Sequence, residues 1–101
     1  MEYPKLPLTV SASGFSEPFK LSSGYHWVAM KAASWGSATL QYSLTNEEGS
    51  YENAKKLDGT DIVITANWQY ALLGGIYYRL NVTDYTAPIS IDGRLASRSR
   101  S

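Results

Sequence analysis

Apolar and polar residues alternate along almost every hydrophobic stretch of this 101-residue chain. In the clearest example, Leu40, Tyr42 and Leu44 are separated by single polar residues. A repeat of two places successive side chains on opposite faces of an extended strand, whereas an amphipathic helix needs apolar residues three and four positions apart. No window of the sequence shows that helical spacing, so the pattern predicts an all-β protein.

Turn-forming residues divide the chain into short strands at intervals of roughly ten residues. The breaks are Ser13-Gly14, Ser22-Ser23-Gly24, Trp35-Gly36-Ser37, Asp58-Gly59 and Gly74-Gly75. Roughly seven to nine short strands with this spacing are typical of a small antiparallel two-layer β-sandwich. Jelly-roll and immunoglobulin-like strand orders both fit, because periodicity does not encode which strands pair.

The segment 25–32 is apolar on both of its faces. One face carries Trp27 and Ala29, and the other carries His26, Val28 and Met30. Such a strand is expected at the centre of a sheet, with one face on the core and the other against a neighbouring chain or loop. A turn at 35–37 leads to the segment 38–44, and we expect the two segments to form a hairpin.

The sequence predicts one β-sandwich domain over residues 6–95. Residues 1–5 are expected to form a flexible N-terminal arm, and residues 96–101, which are Ala, Ser and Arg, a disordered tail. No stretch approaches the roughly 18 apolar residues that a membrane-spanning helix needs, and the N-terminal region lacks the apolar centre of a signal peptide. We therefore expect no contact with a membrane.

The charge balance argues against a nucleic-acid partner. Nine basic residues balance nine acidic ones, and charged residues make up 18% of the chain. A neutral protein can bind a polyanion only through a local basic patch. The candidate patch, Arg94, Arg98 and Arg100, is interpreted as part of the frayed C-terminal tail. A surface with so few charges suits packing against neighbouring proteins.

The chain carries little that could perform chemistry. His26 is the only histidine and there is no cysteine, which removes paired-histidine and thiolate sites within one chain. Glu47 and Glu48 share one loop, and Asp58 and Asp61 another, but neither loop has the alternating acidic run of a calcium site. We predict no catalytic residue, no metal site and no cofactor, and hence a protein that is not an enzyme.

Aromatic residues are the feature that most needs an explanation. Eight tyrosines, three tryptophans and two phenylalanines exceed what one small core can enclose, and exposed Tyr and Trp side chains are typical interface anchors. The predicted interface residues are Leu6, Leu8, Trp35, Tyr51, Trp68 and Tyr77. Packing in the core and at its rim is one alternative, and a carbohydrate platform on Trp35, Tyr51 and Trp68 is another.

Three segments, in this order along the chain, carry a family resemblance. They are Gly24-Tyr25-His26-Trp27-Val28, Trp35-Gly36-Ser37-Ala38-Thr39-Leu40-Gln41-Tyr42 and Leu72-Leu73-Gly74-Gly75-Ile76-Tyr77-Tyr78-Arg79-Leu80-Asn81-Val82. Together they resemble small accessory and decoration structural proteins of tailed bacteriophage virions. The resemblance implies a compact sandwich with a non-catalytic role in the virion, which is assembled in the host cytoplasm.

The same resemblance suggests what the protein binds. It implies a capsid decoration or cement protein that contacts the major capsid protein or other virion proteins through its N-terminal arm, residues 1–8, and one sheet face. It also implies a homo-oligomer, for example a trimer. Two other interpretations stay open: a tail, fibre or neck component of the virion, and a carbohydrate-binding module.

Overall fold

Ten antiparallel strands lie within residues 7–97, the part of the chain that the computed structural model describes. In chain order they are β1 (Leu8–Val10), β2 (Gly14–Phe15), β3 (Phe19–Lys20), β4 (Tyr25–Lys31), β5 (Ser37–Ser43), β6 (Glu52–Asn53), β7 (Val63–Ile64), β8 (Trp68–Leu73), β9 (Tyr77–Asp84) and β10 (Ile89–Ser97). Residues 7–97 contain no helix, and so none that could cross a membrane. The strands outnumber the predicted seven to nine because four of them have only two residues each.

The strands form two sheets, which confirms the predicted all-β sandwich. The four-stranded sheet has the order β1-β10-β4-β8. The six-stranded sheet follows the path β2-β9-β5-β6, with β3 also paired to β9 and β7 to β5. Because β4 lies between β10 and β8, the central position predicted for the segment 25–32 is confirmed.

The core lies between the two sheets and takes alternate residues from both. On β4 the buried residues are His26, Val28 and Met30, and on β9 every second residue from Tyr78 to Val82 is buried. Removing a large apolar side chain from water stabilises a fold by roughly 1.5–3 kcal/mol. The period-two pattern of the sequence therefore fixes which residues fill the core.

The predicted hairpin between the segments 25–32 and 38–44 is wrong. β4 pairs with β10 and β8, whereas β5 pairs with β9 in the other sheet. Residues 32–36 cross between the sheets, and Gly36 lies so close to Asp84 that a Cβ atom there would be 2.0 Å from its carbonyl oxygen. Alternation assigns faces but not pairing partners, and here the two segments contribute to opposite sides of the core.

A second crossing connects β8 to β9 at Gly74 and Gly75. The Gly74 amide donates to the carbonyl of Gly24 at 2.6 Å, and the Gly75 amide donates to that of Leu21 at 2.9 Å. A Cβ atom on Gly74 would lie 1.7 Å from the carbonyl oxygen of Ser22. The turn predicted at this pair of glycines is thus the corner at which the chain changes sheets.

The close approach at Gly74 predicts a large loss of stability in Gly74→Ala. Backbone cannot move aside as a flexible side chain can, so we expect a cost of about 3 kcal/mol, at the upper end for an overpacked site. Gly49→Ala is the control, because its surroundings are open and only its positive φ of 82° opposes alanine, at about 1 kcal/mol. Urea unfolding of both variants tests this, and equal losses would contradict the steric explanation.

Tyr78 secures the same corner from the core. Its hydroxyl donates to the carbonyl of Leu73 at 2.7 Å. Burial raises the pKa of the Tyr78 hydroxyl to about 12, although the hydrogen bond to Leu73 acts in the opposite direction. The neutral side chain therefore stabilises the fold below the ordinary tyrosine pKa of about 10, and this contribution is lost as the pH rises from about 10 to about 12.

We predict that this loss amounts to about 2–3 kcal/mol, at roughly 1.4 kcal/mol for each pKa unit. Tyr78→Phe should cost about 1 kcal/mol at pH 8 through the missing hydrogen bond. Above pH 10 the difference between the two proteins should shrink and then reverse. Urea unfolding of both proteins between pH 8 and pH 12 measures this difference, and a constant gap would show that the pKa of Tyr78 is the same in the folded and unfolded protein.

The C-terminal strand continues beyond the predicted end of the domain at residue 95. β10 runs to Ser97, because an irregularity in register between Leu95 and Ser97 lets Ser97 pair with Tyr25. The remaining residues of the predicted arm and tail, 1–6 and 98–101, lie outside the described residues. The predicted interface residue Leu6 is among them.

Candidate interaction surfaces

The outer face of the four-stranded sheet carries a cluster of apolar side chains. Register brings them together, because Tyr25 lies opposite Leu73 and Trp27 lies opposite Ala71 on neighbouring strands. Tyr25 is 54% exposed, and Trp27 and Leu73 are each 49% exposed. With Ala29, these residues are here called the aromatic face. About half of each of these three large side chains is open to solvent.

Polar residues border the aromatic face on one side. Arg94 and Asp92 on β10 lie opposite Trp27 and Ala29, and together with Gln69 they line a shallow depression of about 270 Å³ beside the indole. An apolar centre with a polar rim is the usual anatomy of a protein–protein interface. Trp and Tyr at such a centre provide large contact areas with few rotatable bonds.

The outer face of the six-stranded sheet has a different character, because its polar groups bind one another. Arg79 Nε donates to Gln41 Oε1 at 2.7 Å, and Gln41 Nε2 donates to Asn53 Oδ1 at 2.8 Å. Asn53 Nδ2 then donates to Asp61 Oδ2 at 3.0 Å. Lys55 forms an ion pair with the same carboxylate, and its hydrogen bond holds the pKa of Asp61 below the usual value.

Arg79 is also held by two aromatic rings. Its guanidinium carbon lies 3.8 Å from the ring centre of Phe15 and 4.1 Å from that of Tyr51. Phe15 lies on β2 and Tyr51 precedes β6, on opposite sides of β9, so the two rings approach the guanidinium from opposite sides. Stacked cations of this kind stabilise the fold by about 0.5–1 kcal/mol at exposed sites.

An open groove lies beside the edge of the four-stranded sheet. Trp68 and Tyr70 project from β8 toward the segment 55–62, and their ring centres are 5.7 Å apart. The open groove between them and this segment measures about 460 Å³, and Leu57 on its rim is fully exposed. The groove and the aromatic face lie on opposite sides of the four-stranded sheet, and β8 contributes side chains to both.

The segment 55–62 that forms the far wall of this groove is folded tightly on itself. The carboxylate of Asp58 accepts hydrogen bonds from the amide and hydroxyl of Thr60, at 2.9 and 2.6 Å. The hydroxyl hydrogen bond is the main reason that the pKa of Asp58 lies below its usual value. The Lys56 amide donates to the Thr60 carbonyl at 2.8 Å, which closes the turn.

His26 is a packed structural residue. Its ring is buried on the inner side of β4, and Nε2 lies 2.8 Å from the carbonyl oxygen of Ser22 and 3.3 Å from the hydroxyl of the same residue. In the described part of the chain, no three His, Asp or Glu residues come together as a metal site.

The predicted interface residues do not form one surface. Leu8, on β1, and Trp35 pack against the core, and the Trp35 indole donates to Asn67 Oδ1 at 2.8 Å. Tyr51 and Tyr77 lie on the outer face of the six-stranded sheet, where the ammonium group of Lys20 lies 5.0 Å from the Tyr77 ring centre. Trp68 lies in the groove, so the proposed sugar-stacking set of Trp35, Tyr51 and Trp68 is divided between separate surfaces.

Sequence reasoning missed Tyr25 and Leu73 as surface residues. The signal was present, because Tyr25 precedes Trp27 by two positions on a strand already expected to have a second apolar face. Leu73 ends the run Ala71-Leu72-Leu73, where uninterrupted apolar residues indicate a strand that is apolar on both sides. What the sequence could not supply is the register that places the two residues side by side.

Comparison of the chain with protein-family models, with curated proteins and with solved structures found no match.

Proposed function

We propose that this protein is a non-catalytic structural protein of a tailed-phage virion, which attaches to the capsid through its aromatic face. The observation that carries the proposal is the half-exposed Trp27, which lies between Tyr25 and Leu73 on one side and a polar rim on the other. The virion as the setting comes from the family resemblance of three segments of the sequence. Within the virion, the proposed role is that of a head decoration or cement protein.

A protein surface is the partner that suits this face best. Its apolar centre favours burial against another apolar surface, at about 25 cal/mol for each Å² removed from water. The rim carries one positive and one negative charge, Arg94 and Asp92, which suits a partner that also presents both signs. The chain has no net charge, so it offers no concentration of positive charge that would attract a polyanion.

The position of β1 supports joint action of the arm and the face. β1 begins at Leu8 and pairs with β10, so the chain enters the same sheet that carries the aromatic face. Once either the arm or the aromatic face has bound the capsid, the other is held close to its own binding site. Its effective concentration there is therefore high.

The proposal predicts that Trp27→Ser weakens binding to empty capsids by at least about 30-fold, the effect of losing a hot-spot residue worth 2 kcal/mol. The fold should be kept, because the indole lies outside the core. Phe15→Ser is the matched control, since it removes an aromatic side chain that is 61% exposed on the opposite outer face. Co-sedimentation with capsids measures binding, and thermal unfolding monitors the fold.

The two variants and the choice of particle separate the competing interpretations. Loss of binding in Phe15→Ser with normal binding in Trp27→Ser would assign docking to the six-stranded sheet. Binding to purified tails but not to heads would identify a tail, fibre or neck component. Normal capsid binding by both variants would contradict docking through either sheet face.

A further inference from the structure

β8 forms an edge that lacks the usual protection against pairing with another strand. It has six residues, none of them charged and none a proline. All six pair with β4 in one uninterrupted register. The strands at the other ends of the two sheets are short, with three residues in β1 and two each in β2 and β6. Long, flat and apolar edges of this kind are templates for strand addition.

The register identifies the backbone groups that face the open side. The Gly74 amide donates to the Gly24 carbonyl, so Gly74 and Gly24 form a hydrogen-bonded pair of the ladder. The next pair along the ladder is Leu73 and Tyr25. Hydrogen-bonded pairs alternate along an antiparallel ladder. The amides and carbonyls of Gln69, Ala71 and Leu73 therefore point away from β4.

The Leu73 carbonyl accepts the hydrogen bond from the Tyr78 hydroxyl, as expected for a group that β4 does not use. Among residues 7–97, no strand pairs with the other outward groups of Gln69, Ala71 and Leu73, and no backbone hydrogen bond from a turn or loop reaches them.

Apolar side chains of β8 lie on both sides of this edge. On the inner side, Tyr70 is 55% exposed and lines the groove with Trp68 and Leu57, while Lys55, Lys56 and Asp58 line its far wall. Leu73 and Ala71 belong to the aromatic face on the outer side. A strand added to β8 would cover the groove and extend the aromatic face in one step.

We infer that β8 pairs antiparallel with β8 of a second copy, which joins two four-stranded sheets into one continuous sheet of eight strands. The strand suits itself as a partner because it is uncharged, so no like charges meet across the two-fold axis. Self-pairing also removes both open edges at once, whereas an unrelated strand would remove only one. β1 and β10, the first and last strands of the described chain, lie on the far side of β4.

The outward groups fix the register of this dimer. Residues 69, 71 and 73 of each copy must face the same set in the other, so the two-fold axis passes between the two Ala71 residues. Gln69 then lies opposite Leu73 of the second copy, and Tyr70 opposite Leu72. The small Ala71 side chains allow the two aromatic faces to merge, with the Trp27 residues about 14 Å apart across three strand spacings.

Light scattering over a range of concentrations tests the dimer without any capsid, so its outcome does not depend on the proposed function. Ala71→Pro removes an amide that faces the open edge and spares the ladder with β4. We expect at least a tenfold weaker dimer for this variant. Ala71→Ser is the control, because it keeps the amide and a side chain nearly as small as that of alanine, and it should dimerise like the original protein.

Amide hydrogen exchange of the unmodified protein gives a second test that needs no variant. In the monomer, amides 69, 71 and 73 should exchange much faster than amides 70 and 72. At concentrations that favour the dimer, amides 69 and 71 should become protected, and dilution should reverse this change.

Three results would overturn the inference. One is a monomer at roughly millimolar concentration, with amides 69 and 71 still exchanging rapidly. Another is a dimer that Ala71→Pro leaves unchanged and Trp27→Ser disrupts, which would place the contact on the aromatic face. The third is protection of these amides only when capsids are added, which would assign the edge to a strand of the capsid.

Discussion

Pairing of β4 along both of its edges is the constraint on which the rest of the structure depends. β10 pairs with it on one side from Lys31 to Tyr25, and β8 pairs with it on the other for six consecutive residues. With both edges occupied, only its two faces can contact anything else. His26, Val28 and Met30 enter the core, and Trp27 must therefore point outward, where about half of its side chain is exposed.

Two glycine corners decide which strands become neighbours of β4. At Gly36 and Gly74 the backbone passes so close to the carbonyls of Asp84 and Ser22 that no side chain fits. At these corners the chain passes into the six-stranded sheet, which contains β5 and β9, whereas β8 lies beside β4 in the other sheet. The aromatic face and the open edge of β8 follow from this arrangement, since both depend on β8 ending its sheet.

The outer faces of the two sheets differ in how many of their side chains already have partners within the protein. On the six-stranded sheet, hydrogen bonds connect Arg79, Gln41, Asn53 and Asp61, and two rings enclose the guanidinium. The exposed ring of Phe15 on that sheet stacks on the same guanidinium, whereas on the four-stranded sheet three large apolar side chains lie together with about half of each exposed. Exposed apolar area favours burial against a partner, whereas satisfied polar groups gain little from one, so the difference supports assembly through the four-stranded sheet.

The sequence by itself determined the fold class and the identity of the core, because a period of two assigns every residue of a strand to one face. It also marked the segment 25–32 as a central strand with two apolar faces, and the corner at Gly74 and Gly75 as a turn. It did not determine the partners of β4, and the predicted hairpin with β5 failed for this reason. Only the tertiary structure placed Leu73 beside Tyr25, divided the candidate aromatic residues among three surfaces and left β8 at an edge, because these features depend on contacts between residues distant in sequence, which periodicity does not record.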